Sequence, residues 1–401
     1  MRRRVVITGM GPVSNIGIGI GEFSSSVRHG KCGTSPVKSF DTTGFHHIHG
    51  GEIADFEPSR HLRRLRPDDG HWGRTSLLAA TAVRLAVDDA ELDVADTETA
   101  VVVGTTFGEI PALVDMTENW LHNGWGPPDP LTAAQAPASK LALAAARELG
   151  TRGEAMTIGT ACAASNYALG YAYDMLSMGQ ADVAVAGGAD SVNRFTHAGF
   201  HRLGAVAAEV CRPFDRDRDG MLPGEGGAAL VLESFEHAEA RGARVYAEVL
   251  GYAMTCDAKH PTAPDGDSIA RCMREAHRRA GVAPEQIDYI CAHGTGTVTN
   301  DLVESQAVFD VFGENPPPIS SIKSMLGHTM GAASGFGAIA SALSVSMGFL
   351  PPTINHAVTD PRLAKLDLVP NASRSAPVRV AQNNGFAFGG NNAVSLFGSA
   401  P

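Results

Sequence analysis

The sequence predicts an α/β fold in which sheet is covered by helices on both faces. Short apolar runs recur at 5–8, 100–104, 182–188, 228–233, 246–252, 289–292 and 393–397, and suit strands buried on both sides. Helical stretches alternate with them at 74–91, 133–148, 163–178, 268–281, 301–312 and 331–347. The 45 glycines among 401 residues supply tight turns and close backbone approaches between such elements.

Taken in order, VVIT after MRRR begins a first strand; the run is too short for a signal peptide or a membrane span. AVVVG and DVAVAGG read as inner strands ending in glycine. The stretch 163–178 is apolar nearly all round and predicts a central buried helix. CRPFDRDRDGMLPGEGG, 211–227, reads as a structured loop before the strand AALVLE. No low-complexity linker divides the chain. VVITGMG and AEVLGYA, each a strand ending in glycine, give a weak internal similarity.

A net charge of −11 argues against a general nucleic-acid binder, which neutralises phosphates with a basic surface. Cys32, Cys162, Cys211, Cys256, Cys272 and Cys291 are scattered without a CxxC pair or zinc-like spacing, so no metal site is expected. Reduced thiols and the absence of a signal segment predict a cytoplasmic protein. Six of the 32 basic residues are lysines, which draws attention to each.

Four motifs could carry chemistry. In TIGTACAASN, Cys162 precedes an apolar helix, whose N-terminal dipole and free N–H groups favour a thiolate and can hold an oxyanion. A small buried hydrophobe is the other reading. In AHGTGTVTNDLVE, His293 ends a strand and enters a turn facing a cleft, or is a satisfied core histidine. Asp301 and Glu304 follow on one helix face. In SSIKSMLGHTMGAASG, Lys323 and His328 flank a turn; Lys323 either is buried with Glu304 as partner or snorkels to the surface. In NNGFAFGGNNA, Phe388 either gates a pocket or anchors a loop. Together they make a Cys–His–His–Lys set with small residues around each member.

These motifs, in this order, resemble the β-ketoacyl-(acyl carrier protein) synthases of the condensing-enzyme superfamily, type II elongating branch. The resemblance runs from RRVVITGMGPVSNIG through TACAAS, ADVAVAGGAD, RPFDRDRDGMLPGEGGAALVLE and AHGTGTVTND to SIKSMLGHTMGAASG and GFAFGGNNA. It implies a thiolase-like αβαβα sandwich of two similar βαβαβαββ halves, 1–245 with the nucleophile and 246–401 with the histidines. It further implies Cys162 as acyl-accepting nucleophile and His293 and His328 as active-site histidines. Lys323, Asp301 and Glu304 would support them. The N–H groups of Cys162 and Phe388 would form an oxyanion hole, with Phe386 beside the gate. The implied reaction is decarboxylative condensation with malonyl-(acyl carrier protein), without cofactor. The implied partners are acyl carrier protein and a second subunit, identical or of the chain-length-factor type.

Three departures shape the expectations. Ala387 stands where the family commonly has glycine; alanine resists φ > 0, so a stiffer or differently posed loop is expected. Phe107, in GTTFGE, occupies a position that lines the acyl tunnel in fatty-acid members, with Phe200 nearby. A phenylalanine there predicts a shortened or redirected pocket, and with Ala387 points to polyketide or polyene elongation rather than fatty-acid synthesis. Carrier-protein docking is expected at Arg60, Arg63, Arg64, Arg66 and Arg202. A non-catalytic chain-length-factor-type subunit is the alternative, disfavoured because Cys162, His293 and His328 are all present. A thiolase is disfavoured because Cys291 sits in the wrong motif for a second catalytic cysteine.

Overall fold

The computed structural model describes residues 3–400. The main strands are β1 (Val5–Ser14), β2 (Ala100–Thr105), β3 (Ala155–Gly159), β4 (Val183–Asp190), β5 (Gly226–Ser234), β6 (Ala247–Cys256), β7 (Tyr289–Cys291), β8 (Pro318–Ser320), β9 (Val380–Phe386) and β10 (Asn391–Gly398). The helices that matter are α1 (Ile20–His29), α2 (Arg74–Asp89), α3 (Ile110–Asn123), α4 (Pro130–Gln135), α5 (Lys140–Leu149), α6 (Ala164–Ser177), α7 (Arg194–Arg202), α8 (Gly266–Ala280), α9 (Val298–Phe312) and α10 (Ala333–Met347).

Strand order reveals a duplication. The first half runs β1-β5-β4-β2-β3 and the second β6-β10-β9-β7-β8, joined by antiparallel pairing of β1 with β6. Pairings repeat in kind: antiparallel, antiparallel, parallel, parallel. β1 and β6, which occupy equivalent places, carry the two similar segments VVITGMG and AEVLGYA. Helices α2 and α5 cover one outer face, α8 and α9 the other, while α6 packs on α10 in the middle. This is the αβαβα arrangement.

The middle layer is close because its residues are small. Gly335 of α10 has no room for a Cβ against Ser165 and Ala228, and Gly104 of β2 none against the backbone of Ala164. α10 is buried from Ala333 through Ser344. The stretch Met330–Met347 is long and apolar enough to cross a membrane, yet lies inside the protein. The apolar pattern of 163–178 predicts burial all round; in α6, Tyr171, Tyr173 and Met175 instead remain half-buried. The expected helix 133–148 is two, α4 and α5, because Pro137 lacks an N–H and its ring opposes a continuous helix.

Each central helix starts from the same device, a three-residue tight turn whose first residue is left-handed without being glycine. Ala161 has φ +50° ahead of α6 and Met330 has φ +51° ahead of α10. The sequences match once aligned by the fold: Thr-Ala-Cys-Ala-Ala-Ser, 160–165, and Thr-Met-Gly-Ala-Ala-Ser, 329–334.

Candidate active site

Cys162 sits in the first of these turns, between β3 and α6, and is 6 % exposed. The second turn follows His328, and the strand–turn after β7 presents His293. The Cys162 sulfur and one ring nitrogen of each histidine lie within 4.8 Å of one another. The imidazoles meet edge to face, centroids 5.4 Å apart at 82°. They line a cavity of ≈ 280 Å³ together with the buried Phe200, Met221 and Thr295, and the exposed Leu203, Phe388 and His260 mark its mouth.

Electrostatics favour neutral groups. Burial, then the Lys323 ammonium, then His328 hold the His293 pKa well below 6.5. Burial and Lys323 do the same for His328. His328 Nδ1 accepts the Met330 N–H at 3.1 Å, so its proton resides on Nε2. Burial pushes the Cys162 thiol up to about 11, opposed by Lys323 and by the N–H groups of Phe388 and Cys162 itself. Burial and the helix start thus act in opposite directions on the Cys162 thiol, and burial is the larger effect. The same two N–H groups converge on the sulfur.

Lys323 is 5 % exposed, so the surface reading fails. Its expected pairing with Glu304 is also corrected. Glu304 accepts the backbone N–H groups of His293 (2.8 Å) and Gly294 (2.7 Å) and the Asn384 amide (3.0 Å). It thus fixes the His293 turn, and reaches Lys323 only through its field, which partly offsets the burial that lowers the lysine pKa. Asp301 turns back to the same segment, accepting from Phe214 and Gly296 and facing Arg218 at 3.4 Å. Burial raises its pKa to about 6.

Phe386 is buried, centroid 5.9 Å from His293; Phe388 is 40 % exposed and 6.0 Å from Phe200. The resistance of alanine to φ > 0, from which a stiffer or differently posed loop was expected, is not called on at Ala387: its φ is −115°, an extended value open to any residue. The left-handed positions are Gly389 (φ +82°) and Gly390 (φ +79°). Phe107 does not line the cavity around Cys162. It stands one layer back, edge-on to Phe195 and packed against Phe200, Val206, Met221 and Met330.

The arginines divide. Arg60 pairs with Glu57 and Arg63 with Asp88, Arg64 packs over the C-terminal end of α5 at Gly150, and Arg66 is exposed. None of these lines the cavity. Arg202 is exposed at the end of α7, next to Leu203 at the mouth. Thr295, Thr297 and His260 also line the cavity, beyond the residues that the motifs point to. The Gly-Thr-Gly-Thr repeat beside His293 is the available signal for the threonines; nothing in the sequence marks His260.

Comparison with known proteins agrees with this geometry. Residues 2–238 match "Beta-ketoacyl synthase, N-terminal domain" and residues 246–357 "Beta-ketoacyl synthase, C-terminal domain". The chain is 36% identical over 410 residues to 3-oxoacyl-[acyl-carrier-protein] synthase 2 of Synechocystis sp., covering 99% of this chain and 98% of that one. It is 37% identical to nodulation protein E of Rhizobium meliloti, with 99% of both chains covered. Among solved structures it is similar to "The ishigamide ketosynthase/chain length factor", at 49% identity, TM-score 0.97 and full coverage of both chains. It is also similar to a type II PKS acyl-carrier protein in complex with its ketosynthase bound to the hexaketide, at 31% identity, TM-score 0.90 and full coverage of both chains. The chain belongs to the β-ketoacyl synthase family.

Proposed function

We propose that this ketosynthase elongates a specialised polyketide or polyene chain, with Cys162 as the acyl carrier and His293 and His328 as the decarboxylation donors. The supporting observation is one sulfur and two neutral imidazoles lining a single cavity. In the first half-reaction the Cys162 sulfur attacks the thioester carbonyl of an acyl-(acyl carrier protein). The oxyanion is held by the N–H groups of Cys162 and Phe388, and the carrier thiol leaves with the proton. Malonyl-(acyl carrier protein) then enters. Its C–CO₂ bond breaks, CO₂ departs, and the electron pair becomes an enolate whose oxygen accepts from both imidazoles. The enolate carbon attacks the acyl-cysteine, and the thiolate is expelled to regain a proton. The bond broken to CO₂ supplies the electrons, so the reaction draws on no redox cofactor or metal.

Neutral imidazoles suit this chemistry, because they donate to the enolate oxygen as it gains charge without themselves forming an ion pair with the malonyl carboxylate that must be lost. Intact mass after incubation with acyl-loaded carrier protein tests the assignment. Wild type should gain the acyl mass and C162A none; an adduct on both, or on neither, overturns it.

A second subunit is part of this reading. β3 ends the sheet with one edge unpaired, and Ala155 and Gly159 on it are exposed, a template for strand addition. The similarity to a ketosynthase/chain length factor structure favours a chain-length-factor-type partner over an identical copy. Co-purification and light scattering distinguish the two. A cytoplasmic location accords with six free cysteines.

A further inference from the structure

β4 ends on a carboxylate that the reaction above does not use. Asp190 is 1 % exposed, and no cation pairs with it among the described residues. Its Oδ1 accepts the Thr105 hydroxyl (2.8 Å) and the Phe107 N–H (3.2 Å). Its Oδ2 accepts the N–H groups of Thr106 (2.8 Å) and Gly331 (2.6 Å). Four donors on two oxygens suit an ionised carboxylate, which only accepts; a protonated acid would turn an O–H against them. Burial raises the Asp190 pKa to about 6, and the four donors oppose that rise.

The donors come from two segments that matter to the site. One is the turn after β2 that carries Phe107. The other is Met330–Gly331, which begins two residues after His328. The fold duplication makes Gly331 the counterpart of Cys162: each is the second residue of its left-handed turn. Where the Cys162 N–H is open to a substrate oxyanion, the Gly331 N–H is occupied by Asp190. A side chain at 331 would not fit, since its Cβ would lie 2.6 Å from the Asp190 carboxylate and from the Thr105 Cα. Ser165, three residues after Cys162, donates to the Gly331 carbonyl at 2.6 Å from the other side. Met330 is held left-handed between these contacts, a conformation that persists only when its surroundings impose it. Its N–H is the group that sets the His328 tautomer.

We propose that Asp190 is a positioning residue for the decarboxylation half-reaction, an internal anion filling the second copy of the oxyanion hole. It fixes the Met330–Gly331 turn, so that His328 keeps its Nε2–H directed at the enolate oxygen. The proposal rests on the reading of His328 as an enolate donor. Acylation of Cys162 uses the other copy of the turn, and Asp190 reaches the sulfur only through its field, a minor influence beside burial and Lys323.

The test separates the two half-reactions. Acylation is followed by intact mass and decarboxylation by CO₂ release from malonyl-(acyl carrier protein), for wild type, H328A, D190N, D190E and T105V. D190N, isosteric but short of acceptors, should slow CO₂ release by roughly 10- to 100-fold, the scale of a slightly misplaced catalytic group. Acylation should stay within a few fold. D190E should restore much of the loss, since it keeps the carboxylate. T105V removes one donor at constant shape and should show the same selective loss on a smaller scale, which keeps the test open should D190N fail to fold. A packing role predicts the reverse order, with Asn tolerated and Glu harmful. Equal losses in both half-reactions, D190E worse than D190N, or unchanged CO₂ release in D190N and T105V overturns the proposal. If H328A itself releases CO₂ at the wild-type rate, the reading of His328 fails instead.

Discussion

The Nδ1 atom of His328 accepts the Met330 backbone N–H at 3.1 Å, and so a main-chain group two residues away decides which ring nitrogen carries the proton. A neutral donor of fixed tautomer follows, and with it a pH dependence. Unfolded, each imidazole titrates near 6.5; folded, both His293 and His328 titrate well below. Between those values the unfolded chain binds more protons, so stability is fully present above 6.5 and falls as pH drops. The slope is about 1.4 kcal/mol per pH unit per histidine. Urea unfolding at pH 5.5 and 7.5 should show a smaller difference for H328Q than for wild type. Turnover should gain no inflection from either imidazole near pH 6.5, whereas protonation of Asp190 near pH 6 should lower it.

Glu304 joins the end of β7 to α9 by accepting from His293 and Gly294. E304Q replaces one acceptor oxygen with an amide that faces a donor. It should lose about 1–3 kcal/mol of stability and slow condensation by up to about 100-fold through displacement of His293. Denaturant midpoints and steady-state rates, measured together, check both.

The gate loop gives an opposed pair. Ala387 is extended, so A387G should only add unfolded-state freedom, costing about 0.5–1 kcal/mol without raising turnover. Gly389 is left-handed, so G389A should destabilise by about 1 kcal/mol or more and slow acylation. Thermal melts and the acyl-enzyme mass time course read the two effects.

Phe200 faces the cavity and Phe107 stands behind it. In competition among acyl thioesters of increasing length, F200A should shift the preference toward longer chains further than F107A does. F107A should instead lose about 2 kcal/mol of stability from the space it leaves, less than a fully buried phenylalanine would.

Arg202 stands beside the cavity mouth, while Arg60 and Arg63 are engaged by Glu57 and Asp88. R202E should raise KM for the carrier-bound substrate severalfold and leave kcat near wild type, and the difference should shrink as salt rises. R60E should change KM little. Rates at low and high ionic strength decide it.

Cys162, His293 and His328 are legible in the sequence because small residues clear space around each, and their motifs sit where strands end. β9 is not, because Gln382, Asn383 and Asn384 break its apolar pattern. All three are buried, and their amides bond His277, Asn166 and Glu304, so polar matching replaces hydrophobic burial there. Helices α1 and α3 are also unmarked: α1 buries only Phe23 and Val27 and α3 only Ala112, and neither N-terminus carries a side-chain cap. The depth of Phe107 is hidden because a residue's distance from a cavity depends on what packs before it, here Phe200 and Met221. The Glu304–Lys323 pairing fails because backbone donors, which a sequence does not display, are nearer.

The packing of α6 on α10 brings the two left-handed turns together, so the reactive centre lies on a seam between copies of one unit. Slippage along that seam would separate the sulfur from His328 while each half kept its own strands and helices. Loss of catalysis should therefore precede loss of secondary structure on heating, as though a dimer were dissociating within a single chain.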